Sequence, residues 1–190
     1  MASPTTLKRL AEESEHSERI NELLDNPSAA FVSLGEELQP NAYGTLVYIY
    51  GIEDLVREPS DDEVKRWSHS EYSLPIDSTD STLATPMFPK SGPGYLPDIR
   101  FMYFLLHSDQ VEEVKSSVER DDLVTFWQHY EGEGDAIVHG GVWLGEPDQE
   151  RINLFHQKGV GEEFELVSYK RSELHTDTQV RYFRIEGDSR

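Results

Sequence analysis

The chain reads as an α+β, β-rich protein: an antiparallel sandwich or barrel of about seven strands, with a C-terminal meander and two or three peripheral helices. Three observations carry this reading. Asp121 to Leu144 has the pattern of a β-hairpin. Three more segments rich in β-branched and aromatic residues follow it, separated by short polar turns. Capping residues open amphipathic stretches elsewhere in the chain.

In chain order, Ser3-Pro4 opens a helix, with Ser as N-cap and Pro at the first helical position. Leu7, Leu10, Ala11, Ile20, Leu23 and Leu24 form a thin apolar stripe, interrupted from Glu12 to Arg19. Asp25-Asn26-Pro27 ends it, because Pro cannot continue a helix and restricts the residue before it. Residues 1–26 are therefore expected as a helix that packs on the hairpin or extends as an appendage to a neighbouring subunit. Ala29 to Leu34 is too short to separate helix from strand. Thr45 to Ile52, TLVYIYGI, is expected as a strand. Ser60 to Glu63 opens a short acidic helix reaching about Ser68, with Val64 and Trp67 on one face.

Residues 73–98 hold Pro75, Pro86, Pro89, Pro93 and Pro97, which excludes a helix or a central strand. A structureless run longer than ~15 residues is uncommon inside a compact domain. The segment reads as an ordered arm that lays Met87, Phe88 and Tyr95 on another surface, or as a plain loop. Ile99 to His107 is an apolar strand by composition, and Ser108-Asp109 caps a helix to about Arg120 carrying Val111, Val114 and Val118 on one face. The strands Leu123 to Tyr130, Asp135 to Leu144, Arg151 to His156, Glu163 to Lys170 and Gln179 to Glu186 then follow as a meander. Residues 99–186 thus form the main sheet of a single domain spanning 1–190.

The hairpin is the informative element. With its turn at Glu131 to Gly134 and Tyr130 opposite Asp135, one face carries Leu123, Thr125, Trp127, Ala136, Val138, Val142 and Leu144. The other carries Val124, Phe126, Tyr130, Ile137 and Trp143. Both faces are largely apolar, so both need cover: a helix, a loop or another subunit. Phe126, Tyr130, Ile137 and Trp143 are accordingly interface candidates, together with Met87, Phe88 and Tyr95 of the Pro-rich segment.

The formal charge is -20, with 17 basic against 37 acidic residues. It is spread evenly: -5 over residues 1–40, -7 over 41–120 and -8 over 121–190. Such a surface repels itself in dilute buffer and is screened in concentrated salt, the pattern of a high-salt proteome. An acidic mimic of nucleic acid is the competing reading, although a mimic needs a continuous acidic strip. Direct nucleic-acid binding is not expected, since Lys and Arg form no cluster beyond the isolated pairs Lys8-Arg9, Lys65-Arg66 and Lys170-Arg171. The absence of cysteine excludes disulfides and thiolate chemistry. No apolar run nears the ~20 residues of a membrane span, and no signal-peptide pattern opens the sequence. A cytoplasmic or virion location is expected.

No phosphate-binding glycine loop, HExxH or GxSxG motif is present. Among the seven histidines, His107 precedes a helix N-terminus and His139 lies in the hairpin; these two are the catalytic candidates. On this register His129 and His139 fall on opposite faces and cannot share a metal unless the pairing slips by one residue. His156, alternating with Ile152 and Leu154, reads as a hydrogen-bonded core histidine. Gly140-Gly141 inside a strand marks a bulge, a bend or a close approach of something to bare backbone. Acid pairs such as Asp121-Asp122 and Glu162-Glu163 read as solvated surface, and no cofactor or metal site is expected.

These features lead first to a non-enzymatic structural or assembly protein of a halophilic system, binding copies of itself or other proteins. A virion component (capsid, neck or tail) of a haloarchaeal virus is its most specific form. A small-ligand-binding or enzymatic β-barrel using its interior and His107 or His139 is the alternative. The nucleic-acid mimic is the third reading.

Overall fold

Six strands form one antiparallel sheet: β1 (Val111–Glu113), β2 (Leu123–Tyr130), β3 (Gly134–Trp143), β4 (Arg151–Gln157), β5 (Phe164–Lys170) and β6 (Thr178–Ile185). Their order across the sheet is β1-β6-β2-β3-β4-β5, and the sheet does not close. Among the described residues three helices with bounds on both sides accompany it: α1 (Pro4–Glu12), α2 (Ser17–Asp25) and α3 (Ala42–Tyr50). The computed structural model describes residues 3–25, 42–52, 102, 105–106, 108–131, 134–145, 150–158 and 163–186. The α+β, β-rich antiparallel class is the one expected. The Pro-rich segment 73–98, the acidic stretch 60–68, residues 29–34 and His107 lie outside the described residues.

All five strands expected from Leu123 onwards form, with bounds within a residue or two. Their connectivity differs from a simple meander. β2 to β5 follow one another, but β6 crosses back to pair with β2, Leu123 opposite Phe183 and Gln128 opposite Thr178. The N-terminal helix is two helices, split where the apolar stripe lapses. Ser3 caps the first, its Oγ accepting from Thr6 N at 3.1 Å.

Three sequence expectations are overturned. Thr45 to Ile52 is not a strand but most of α3 and its cap. Gly51 has φ +64° and donates to Tyr48 O, while Ile52 donates to Val47 O, which is the Schellman arrangement at a helix C-terminus. Arg19 of α2 also donates to Tyr48 O, so a side chain adds to the backbone donors at the open carbonyls. The helix is buried on most sides, and so it lacks the polar stripe that would have announced it. Met102, Leu105 and Leu106 are helical, not extended. Val111 to Glu113 is an edge strand on β6, and the residues after it are irregular, where a helix from Ser108 to Arg120 was expected.

One core lies between the helices and the first face of the sheet. It joins Leu7, Leu10, Ile20 and Leu23 to Leu46, Ile49, Met102 and Leu105, and to Leu123, Trp127, Val142 and Phe155. Four such buried side chains on α1 and α2, at about 2 kcal/mol each, suffice to dock nine-residue helices that are marginal alone. A second cluster on the opposite face gathers Val124, Phe126, Trp143, Ile152, Leu154 and Tyr182. Val114, Val118 and Leu174 pack against it from the irregular segments on either side of the sheet. The second face is thus covered by the chain's own residues, and Val114 and Val118 do so without being helical.

A corner at residues 119–122 joins helices to sheet. Arg120 donates to Leu144 O, to Glu13 O and to Glu13 Oε2. Asp121, with φ +73°, accepts from Ser14 Oγ and from Glu15 N. Asp122 is 3% exposed and accepts two hydrogen bonds from Arg184, at 2.9 and 3.1 Å. The Asp121-Asp122 pair is therefore a structural joint, not solvated surface.

Candidate functional site

The site grows from the register of the hairpin. At its base the expected pairing holds: Leu123 faces Val142 and Phe126 faces His139. Between Phe126 and Trp127 the register shifts, so that Trp127 faces Ile137 and Tyr130 faces Gly134. Val138 is the extra residue of this β-bulge and is pushed to 43% exposure. Ile137 moves to the helix side and joins the first core, which corrects its expected place beside Phe126. His139 stays on the second face, against Phe126, with ring centroids 5.9 Å apart.

Gly141 lets β4 come close. A Cβ at this position would stand 2.7 Å from Phe155 O and 2.6 Å from Leu154 Cδ1. Close approach to bare backbone was one of the roles expected of the glycine pair, and here the approaching group is the neighbouring strand. Beside it, His139 Nε2 lies 2.6 Å from His156 Nδ1. His156 Nε2 lies 3.0 Å from Glu165 Oε1, and Lys158 Nζ lies 3.0 Å from Glu165 Oε2. Three neighbouring strands thus supply one continuous chain of polar groups.

Tyr169 completes the group. Its ring meets Phe126 at 6.2 Å and His156 at 6.0 Å, both edge-on. Phe126, His139, His156 and Tyr169 come one each from β2, β3, β4 and β5 and form a closed set of four rings. His156 is 3% exposed, whereas His139 and Tyr169 are half-buried. The set therefore opens at His139 and Tyr169.

Burial pushes the His139 pKa down to about 4, and the neighbouring His156 adds to the effect. Burial also lowers the pKa of His156, with Glu165 opposing it. Burial, and then the Glu165 carboxylate, raise that of the Tyr169 hydroxyl. At neutral pH both imidazoles are uncharged. An uncharged imidazole at a half-buried position can accept a hydrogen bond or take up a proton.

The other candidates are placed as follows. Phe126, Ile137 and Trp143 are 5%, 2% and 5% exposed, buried among the chain's own residues. Tyr130 is exposed. Met87, Phe88, Tyr95 and His107 lie outside the described residues. His129 is paired with Asp135 at 2.9 Å, remote from His139 in role and partner. His156 is the hydrogen-bonded core histidine that its alternation implied. Glu165 and Tyr169 were missed, since nothing in the local pattern of β5 singles out its one carboxylate or its tyrosine. Among the described residues, no group of three or more His, Asp or Glu is arranged to hold a metal ion, and no helix is long and apolar enough to cross a membrane.

Fold and site together define an α+β protein carrying a histidine–histidine–carboxylate chain on an open antiparallel sheet. Comparison with protein-family models, with curated proteins and with solved structures finds no match.

Proposed function

We propose that the chain is a protein of a high-salt environment that binds a small molecule on the second face of its sheet, with His139 as the contacting polar group. The observation that carries this reading is the hydrogen-bonded chain His139–His156–Glu165, which holds an uncharged imidazole at a half-buried position. Titratable groups perturbed by burial and by each other, set among apolar rings, are the usual make-up of a ligand site. A protein-observed NMR screen of a small-molecule fragment collection, in molar salt, tests it. Hits should move the resonances of His139 and Tyr169. A collection whose hits all fall elsewhere, or that produces none, ends the reading.

The assembly reading, including its virion form, draws its support from the charge and from Tyr130 and Val138, which are exposed on the same hairpin. Both apolar hairpin faces carry buried clusters within the chain, so this support rests on its exposed residues. Size-exclusion chromatography with light scattering in molar salt separates the readings. A defined oligomer that Tyr130→Ser with Val138→Ser dissociates favours assembly, and a strict monomer removes it.

A further inference from the structure

We infer that the site takes a small organic ammonium group and meets its N–H at Nδ1 of His139, the nitrogen that Glu165 leaves bare by acting through His156. This rests on the ligand-binding reading and specifies its ligand.

The tautomers follow from donors and acceptors alone. A carboxylate only accepts, so the 3.0 Å contact with Glu165 places the His156 proton on Nε2. The Tyr169 hydroxyl, at 3.5 Å from the same nitrogen, is too distant to compete. An uncharged His156 then has a bare Nδ1, and the 2.6 Å contact requires His139 to donate from Nε2. An uncharged His139 that donates from Nε2 has its lone pair on Nδ1. Glu165 is therefore a positioning residue, two hydrogen bonds removed from the nitrogen whose state it sets.

Three features select a cation. A bare imidazole nitrogen requires a donor in its ligand, and an uncharged ring does not repel an ammonium. The half-buried Tyr169 flanks His156, and aromatic faces attract cations. At low salt the formal charge of -20 adds a field that draws cations and repels anions, and molar salt screens it. Lys158, beside the site, already shares Glu165, so a ligand carboxylate would have to compete with that partner.

Two measurements decide the matter. The first needs no ligand: imidazole nitrogen NMR on protein labelled at histidine. His139 should be uncharged and protonated at Nε2 near neutral pH. Glu165→Gln should keep that tautomer, because an amide oxygen still accepts, and Glu165→Leu should mix the two forms. The second titrates benzylamine, benzyl alcohol and benzoate separately, at the lowest salt that keeps the fold and again in molar salt. Benzylamine should move His139 and Tyr169 at a concentration about tenfold below that of benzoate. His139→Ala should weaken benzylamine binding by about as much. A proton on Nδ1, a tautomer indifferent to Glu165→Leu, equal or tighter binding of benzoate, or silence from all three probes overturns the inference. If fragments of another class bind at His139, the ligand-binding reading survives and this one alone falls.

Discussion

Acid should loosen this fold through His139, and the size of the effect follows from its surroundings. Burial and His156 take its pKa from the usual 6.5 to about 4. A folded-state value below the unfolded one means that the unfolded chain binds the proton first. Stability from this group is complete above the unfolded value and is lost as pH falls through the window down to about 4, with no further loss below it. At about 1.4 kcal/mol for each pH unit, the full loss is roughly 3 kcal/mol. The partial exposure of the ring trims this to about 2 kcal/mol. His156 and His16 are shifted the same way, chiefly by burial, so they act in the same sense. The assay compares urea unfolding of the native chain and of His139→Gln at about pH 7 and about pH 4.5 in molar potassium chloride. Gln keeps an N–H donor for His156 but cannot charge, and the salt suppresses the changing self-repulsion of the carboxylates. The native chain should lose about 2 kcal/mol more than the variant over that interval. Equal losses, within about 0.5 kcal/mol, would refute the reasoning.

Gly141→Ala should cost about 1–3 kcal/mol by denaturant unfolding, because the methyl meets the backbone oxygen of Phe155. Gly140→Ala, whose methyl meets the movable tip of Leu46 at 3.3 Å, should cost less, and equal costs would argue against the close approach of β4. Asp122→Ala should cost about 1–2 kcal/mol in the same assay, since it leaves the backbone N–H of Glu119 without its acceptor and removes two of the hydrogen bonds of Arg184 at the corner that joins helices to sheet. Gly51→Ala should cost about 1 kcal/mol, because its φ of +64° disfavours any Cβ; an unchanged unfolding midpoint would count against the cap. Melting temperature should rise steadily from dilute to molar potassium chloride as the screening length falls from about 10 Å to about 3 Å. A flat or falling curve would remove the charge-based case for a high-salt habitat.

The strands of the sheet were legible because their signals are local. From Leu123 to Ile185, alternation and turn residues mark each strand within a residue or two. The hairpin register was also correct at its base, Leu123 to Phe126. Helix α3 was misread for the converse reason. A segment buried on most sides has no polar face, and without contrast neither the helical nor the strand period stands out. Val111, Val114 and Val118 failed differently: their spacing suits a helix, but pairing with β6 and cover over the second cluster were worth more than one helical stripe.

His139 and His156 were each visible as residues of interest, yet their meeting was not. It depends on Val138 being squeezed out of the ladder, on β4 closing over Gly141 and on β5 supplying Glu165. The amino-acid sequence by itself determined the acidity, the caps and the strand segments, because those arise between residues a few positions apart. Tertiary structure alone decided that β6 returns to β2, which segments cover each face, and which buried groups share protons. Those outcomes are contests between alternative long-range contacts of similar energy, and a one-residue shift such as the bulge at Val138 is enough to carry Ile137 from one side of the sheet to the other.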